Sequence, residues 1–294
     1  MNHKPTKVIE NKHNSNLTVY TPESDIRHPI KLLRAMFRDL LASRELAWRL
    51  FIRDFSARYR QSFLGYVWAF LPPLVSTLTF VLLNRSGILK VGNLPIPYPA
   101  YVMIGTLLWQ VFVDAINSPI KTVTASKAML IKVNFPREAI LVSGMLETLC
   151  NFIIRLVLLV AVFAYYRIMP PMTAPLALAG VFAILCLGFM IGLLITPIGL
   201  LYSDIGQALN MLLTFWMLVT PVVYLPPSTG ILARLTSLNP VSPLIVTSRE
   251  WLTLGTASDI FPALLVFLVT VILMFSGWVL YRLAMPIIVE RMGG

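Results

Sequence analysis

Between Arg167 and Asp204 the chain runs for 36 residues without one Asp, Glu, Lys or Arg, and between Asp259 and Arg282 for another 22. A helix needs about 20 apolar residues to cross the hydrocarbon core of a bilayer, and both runs exceed that length. The rest of the chain agrees: 57% of its 294 residues are hydrophobic and 13% charged, against about half and a quarter in an ordinary soluble domain. The sequence therefore predicts an all-α, multi-pass membrane protein. A water-soluble enzyme and a disordered tail protein are excluded. An outer-membrane barrel would show alternating segments of about 10 residues instead of long apolar runs.

Six transmembrane helices are predicted, with cores near 63–83, 100–116, 139–166, 175–201, 207–224 and 260–281, which together make a transmembrane domain over 63–282. Six crossings put both termini on one side. The segments on that side (1–62, 117–138, 202–206, 282–294) hold 12, 4, 0 and 2 cations, 18 in all, while the opposite loops (84–99, 167–174, 225–259) hold 2, 1 and 2, or 5. The positive-inside rule then places both termini in the cytoplasm. The formal charge of +11 is explained by this anchoring and does not call for nucleic acid. Cys150 and Cys186 sit in apolar segments and suggest no disulfide framework. No cleavable leader is expected, because the first long apolar run starts only near Phe63. Pro72-Pro73 should kink the first span and leave carbonyls for neighbouring helices to satisfy.

Three segments outside the spans have patterns of their own. Residues 1–28 are polar and aperiodic and read as a mobile cytoplasmic tail, and 283–294 read as a second, short one. Over 29–62, Leu33, Phe37, Leu40 and Leu41 recur at helical spacing, as do Leu46, Leu50, Phe51 and Phe55, with Lys31, Arg34, Arg38, Arg49 and Arg53 among them. This predicts one or two amphipathic helices jointed near Ser43, lying in the cytoplasmic interface or serving as a platform for a cytosolic partner. Between spans two and three, Ser118-Pro119 reads as a helix start, and 120–133 as about three turns carrying Lys121, Lys127 and Lys132, stopped by Asn134-Phe135-Pro136. Such a helix is either an interfacial connector or a piece that docks into a groove on another protein. Between spans five and six, 231–238 and 244–254 are apolar on one face and too short to cross, which suits an outer gate over 226–254.

The sequence holds no G-x-x-x-x-G-K-[ST] run, so the chain is not expected to bind or hydrolyse ATP itself. His3, His13 and His28 all lie in the tail, which leaves metal or proton-relay use of histidine unsupported. No G-x-S-x-G nucleophile pattern occurs either. Three constellations remain. Glu147, Asn151 and Arg155 stand at i, i+4, i+8 in span three and must face protein or a water-filled cavity. They are either a structural polar seam or a proton or substrate pathway. Phe63, Tyr66 and Phe70 on span one, with Phe215, Trp216 and Tyr224 on span five, form an aromatic set that is either an interfacial belt or a lining on which sugar rings can slide. Arg58 and Arg60 stand just before span one, as positive-inside anchors or as a site for a diphosphate headgroup.

Several short motifs resemble one known family. Phe55 to Arg60, Gln61-Ser62, Leu64-Gly65-Tyr66 and Trp68, followed by Pro72-Pro73, resemble the entry to span one in polysaccharide-export ABC transporter permeases. Asn134-Phe135-Pro136-Arg137-Glu138 resembles the exit from their coupling helix. Tyr202-Ser203-Asp204-Ile205 resembles their short cytoplasmic turn, with Ser203 where many relatives carry Arg. Thr220 to Tyr224 and Leu238-Asn239-Pro240 resemble the end of span five and the start of the gate. The resemblance implies a homodimer in the bacterial cytoplasmic membrane, with two copies of a cytosolic ATP-binding subunit beneath it that supply ATP and Mg. It implies export of undecaprenyl-diphosphate-linked polysaccharide, O-antigen above all, with capsule and teichoic acid as neighbours. On this reading 120–133 is the coupling helix, 31–55 the interface helix, spans one and five line the channel, and Lys121, Lys127, Lys132, Arg34 and Arg38 face the ATPase. Two rivals use the same residues differently: a proton-coupled secondary carrier working through Glu147 and Arg155, and a membrane enzyme acting on polyprenyl-linked glycans.

Overall fold

A computed structural model of the chain describes residues 29–60, 65, 67–89, 91–133, 135–202 and 204–293; the predicted tail 1–28 lies outside them. Among the described residues every regular element is helical. Two helices, α1 (Pro29–Ala42) and α2 (Arg44–Arg60), meet at Ser43, whose hydroxyl donates to the Leu40 carbonyl at 2.8 Å and so closes the joint. They are followed by α3 (Val67–Arg85), α4 (Tyr98–Ala125), α5 (Lys127–Lys132), α6 (Glu138–Tyr166), a 3₁₀ turn (Ala174–Leu176), α7 (Ala177–Leu201), α8 (Asp204–Val219), α9 (Gly230–Leu238), α10 (Val241–Thr253) and α11 (Ile260–Gly293).

Among the described residues, five helices are long and apolar enough to cross a membrane: α3, α4, α6, α7 with its 3₁₀ turn, and α11. The fifth predicted span departs from expectation. Its helix, α8, ends at Val219 after 16 residues, about 24 Å at 1.5 Å per residue, short of a roughly 30 Å core. The cause is Pro221, which disfavours helical backbone at the residue before it. Tyr224, placed on this span from the sequence, therefore lies beyond the helix.

Two other boundaries differ. Ser118-Pro119 does not begin a helix: α4 runs through both residues to Ala125. The Thr122 hydroxyl donates to the Ser118 and Pro119 carbonyls at 2.8 and 3.3 Å, and Asn117, Ser118, Pro119 and Ile120 are all buried. The true break is Ser126, and only the six residues of α5 follow it. The segment 283–293, read as a tail, continues α11, and its Met285 and Ile288 are buried. Burial of that stripe extends the helix past the membrane-length portion.

The core is built on α4 and α7, whose most apolar windows are 78% and 67% buried, against 17% for both α3 and α11. α4 packs most extensively on α7; α6 and α3 flank α4, and α10 and α11 flank α7. A side chain at Gly192 of α7 would collide with the Ile116 carbonyl of α4, so the absence of a Cβ permits the close crossing. α3 and α11 present Leu74, Leu78, Leu82, Leu264 and Leu268 outward. The bundle thus has two buried central helices and an apolar outer surface.

Candidate functional site

The polar stripe of α6 lies inside the bundle. Arg155 is buried; its Nη1 pairs with the Asp114 carboxylate of α4 at 2.5 Å, and its Nε donates to the Ala69 carbonyl of α3 at 3.1 Å. Ala69 lies four residues before Pro73, which has no N–H to offer that carbonyl. The arginine thus fills the gap that the proline opens, as expected for a kinked span. Gln110 Nε2 donates to the other Asp114 oxygen at 2.9 Å. About two turns nearer the start of α6, Glu147 forms an ion pair with Arg58, from the end of α2. Asn151 is buried between the two pairs.

Arg58, Asp114, Ser118, Lys121, Glu147 and Asn151 surround a polar cavity of about 40 Å³ between α2, α4 and α6. Lys121, expected on the coupling helix, instead sits on α4 and lines this cavity. Lys127 and Lys132 lie on α5 and Arg34 and Arg38 on α1, all exposed at the same end of the bundle. That end is tied together by Arg282 of α11, which reaches Asp39 of α1 and Glu138 of α6, both at 2.8 Å. All three groups are largely shielded from solvent.

At the opposite end the gate segments form a second polar knot. Arg249 of α10 is buried beside the Tyr101 ring of α4, 3.9 Å from its centroid. Its Nη2 donates to the Pro221 carbonyl at 2.6 Å and the Val222 carbonyl at 3.2 Å. The Tyr101 hydroxyl donates to the Tyr224 carbonyl at 3.0 Å. Trp216 Nε1 donates to Asn239 Oδ1 at 3.0 Å, and Asn239 Nδ2 donates to the Thr220 hydroxyl at 2.8 Å. A side chain at Gly105 would strike the Val222 carbonyl, so this glycine lets the loop press onto α4. Two motifs separated in sequence, Thr220 to Tyr224 and Leu238-Asn239-Pro240, thereby become one hydrogen-bonded unit. Farther out, burial and then the Glu250 carboxylate push the Asp259 carboxyl above the usual range.

The aromatic set separates in space. Phe63, Tyr66 and the side chain of Arg60 lie outside the described residues, as does Ser203. Phe70 is half-buried. Phe215 is 58% exposed on α8 and free to meet a partner surface. Trp216 is instead a packing residue, edge-on to Phe112 at 5.3 Å, and the Tyr224 hydroxyl turns back to the Leu218 carbonyl at 3.0 Å.

The sequence did not single out Asp114, Arg249, Asp39 or Arg282. Asp114 carried the clearest signal: it is the lone charge in the uncharged stretch from Gly92 to Ile120. An intramembrane acid of that kind calls for a basic partner. Arg249 offered none, since its acceptors are backbone carbonyls. Among the described residues no group of three or more His, Cys, Asp or Glu could hold a metal ion.

These features define a multi-pass α-helical membrane protein in which Arg155 and Arg282 pair with carboxylates on other helices and most of the exposed cations of the described residues lie at one end. No family model matches the chain. Its relatives are nonetheless specific. It is 29% identical over 248 residues to the O-antigen export system permease protein RfbA of Myxococcus xanthus, covering 82% of this chain and 93% of that protein. It is 22% identical over 224 residues to the RfbA permease of Klebsiella pneumoniae, covering 73% and 83%. It is 24% identical over 244 residues to the polysialic acid transport protein KpsM of Escherichia coli, covering 79% and 91%. The chain is a homologue of ABC polysaccharide-export permeases.

Proposed function

We propose that this chain is the membrane-spanning permease subunit of an ATP-driven exporter that carries polysaccharide across the bacterial cytoplasmic membrane. The observation that carries the reading is the similarity to an O-antigen export permease along 93% of that relative's length. The chain has no phosphate-cradling motif, so the energy comes from a partner: two copies of a cytosolic ATP-binding subunit, holding ATP and Mg, beneath a homodimer of this chain. Both termini are cytoplasmic, after six crossings, the fifth made by α8 and the loop that follows it.

Each element has a part in this reading. α5, with Lys127 and Lys132, docks on the ATPase, while α1 and α2 lie along the cytoplasmic interface with Arg34 and Arg38 toward the partner. The segment 226–254, with α9 and α10, forms the outer gate. Phe63, Tyr66, Phe70 and Phe215 line the path between subunits, where rings let a glycan slide without a deep binding well. The cargo is a polysaccharide on an undecaprenyl-diphosphate lipid, O-antigen first. The pairing of both Glu147 and Arg155 favours this reading over a proton-coupled carrier, which needs an intramembrane acid free to release its proton.

Deletion of the gene tests the proposal. The expected result is glycan accumulating inside the cell, with export restored by the wild-type chain and an ATPase subunit bearing G-x-x-x-x-G-K co-purifying with it. Export by the purified chain on a proton gradient alone would overturn it. The double change Lys127→Glu and Lys132→Glu is expected to weaken co-purification about tenfold or more, two charge reversals at a contact costing upward of ~1.4 kcal/mol. Unchanged complex formation would remove α5 from the interface.

A further inference from the structure

Two cations, Arg58 and Lys121, and two carboxylates, Asp114 and Glu147, line the cavity between α2, α4 and α6, and a third cation outside the lining, Arg155, pairs with Asp114. Arg155 is committed to Asp114 and to the Ala69 carbonyl. Glu147 alone is left to face both Arg58 and Lys121, and among the described residues no carboxylate lies within 4 Å of the Lys121 amine. The Ser118 hydroxyl, buried at the same cavity, has no hydrogen-bond partner among the described residues. A guanidinium, an ammonium and an idle hydroxyl around one carboxylate make an anion site that is already partly filled.

We propose that this is an oxyanion site for a phosphate group and that Glu147 occupies it as an internal stand-in until the phosphate arrives. The inference rests on the exporter reading for the identity of the anion. About 40 Å³ accommodates a water or two and no phosphate, so the site opens only as Glu147 gives up Arg58. That exchange is accessible. The Arg58 side chain is 46% exposed and Glu147 only 15%, so the arginine faces the surface from which an anion arrives. A phosphate offers more acceptor oxygens than a carboxylate and can engage Arg58, Lys121 and Ser118 together through charge-assisted hydrogen bonds. Competition by Glu147 keeps the resting site from trapping stray anions and gives the subunit two states, one with α2 tied to α6 and one with α2 released toward the ligand.

The full-length chain in lipid nanodiscs is titrated with a short-chain polyprenyl diphosphate and, separately, with inorganic diphosphate. Glu147→Gln removes the competitor and is expected to tighten binding about fivefold, the scale of a part-exposed ion pair. Arg58→Gln is expected to weaken it about tenfold or more, and Ser118→Ala severalfold. Full competition by inorganic diphosphate identifies a site that reads the phosphate alone. Binding of the lipid form only, still tightened by Glu147→Gln, identifies a headgroup site with help from the chain. Unchanged or weaker binding in Glu147→Gln, or unchanged binding in Arg58→Gln, overturns the proposal. Should Glu147→Gln fail to assemble, the wild type decides: a diazirine beside the diphosphate must label the peptides around 58, 118–122 or 147–151, and labelling confined elsewhere overturns it. Failure here with export and ATPase co-purification intact would sink the oxyanion site and leave the exporter reading standing.

Discussion

A single ion pair buried between helices stabilises little against an apolar pair of similar size, yet removing one partner leaves a charge stranded. Arg155 and Asp114 are in that position. Arg155→Met alone is expected to destabilise the bundle by about 3–5 kcal/mol, because it strands Asp114 and also frees the Ala69 carbonyl that Pro73 cannot satisfy. The double variant with Asp114→Leu should recover much of the loss. Melting of the purified chain, read as a double-mutant cycle, checks this; additive losses would show that the two groups do not act as a pair. Arg249 poses a different problem, because its acceptors are carbonyls. Arg249→Met leaves both without a donor and should cost about 1–3 kcal/mol. Arg249→Lys should recover only part, since an ammonium cannot stack flat on Tyr101 and fork to two acceptors at once. Equal stability of the Lys variant and the wild type would mean that charge alone suffices.

Helices whose pattern is set by the membrane were legible in the sequence, and helix ends set by tertiary contacts were not. The uncharged runs before Asp204 and before Arg282 predict α7 and α11. Ser118-Pro119 has the chemistry of a helix start, yet α4 passes through it, with the neighbouring residues buried. Pro221 carries an equally strong local signal and there the helix does end, at Val219, two residues before the proline. The difference lies in what each proline packs against, which spacing along the chain does not record. The site was legible to the same extent: Glu147, Asn151 and Arg155 were visible as a stripe, whereas their partners come from α2, α3 and α4. Close helix crossings were hidden altogether. Gly192 reads as one glycine among several in an apolar run, but its missing Cβ sets the approach of α7 to α4. Gly192→Leu is expected to push these helices apart at a cost of about 1–3 kcal/mol, measured as a lowered melting temperature. Gly206→Leu, where nothing lies within 4 Å of the added Cβ, is the control and should change little.

At the scale of the whole molecule, five long helices and one short one leave the number of crossings to be decided by physics beyond helix length. Non-helical backbone survives at membrane depth only when it is buried in protein and its polar groups are satisfied. The loop after α8 meets both conditions. Thr220, Val222 and Val223 are buried, and the Pro221, Val222 and Tyr224 carbonyls accept from Arg249 and Tyr101. The loop can therefore finish the crossing that a 16-residue helix begins. Cysteine accessibility tests this, and the native background is low because Cys186 is buried and Cys150 partly so. Met172, in the turn before α7, and Ile231, on α9, are strongly exposed at one end, and Arg44 and Glu290 are exposed at the other. With six crossings, a membrane-impermeant thiol reagent applied to spheroplasts should label Met172→Cys and Ile231→Cys and spare Arg44→Cys and Glu290→Cys until the cells are lysed. With five, α8 would turn back, so that Ile231→Cys would be protected and Glu290→Cys labelled. The same inversion would put the C-terminal end of α11 across the membrane from α1, which is irreconcilable with the Asp39–Arg282–Glu138 cluster joining α1, α6 and α11 at one end of the bundle. A chain that kept that cluster and still labelled at Glu290→Cys would refute the account of the loop as the end of the fifth crossing.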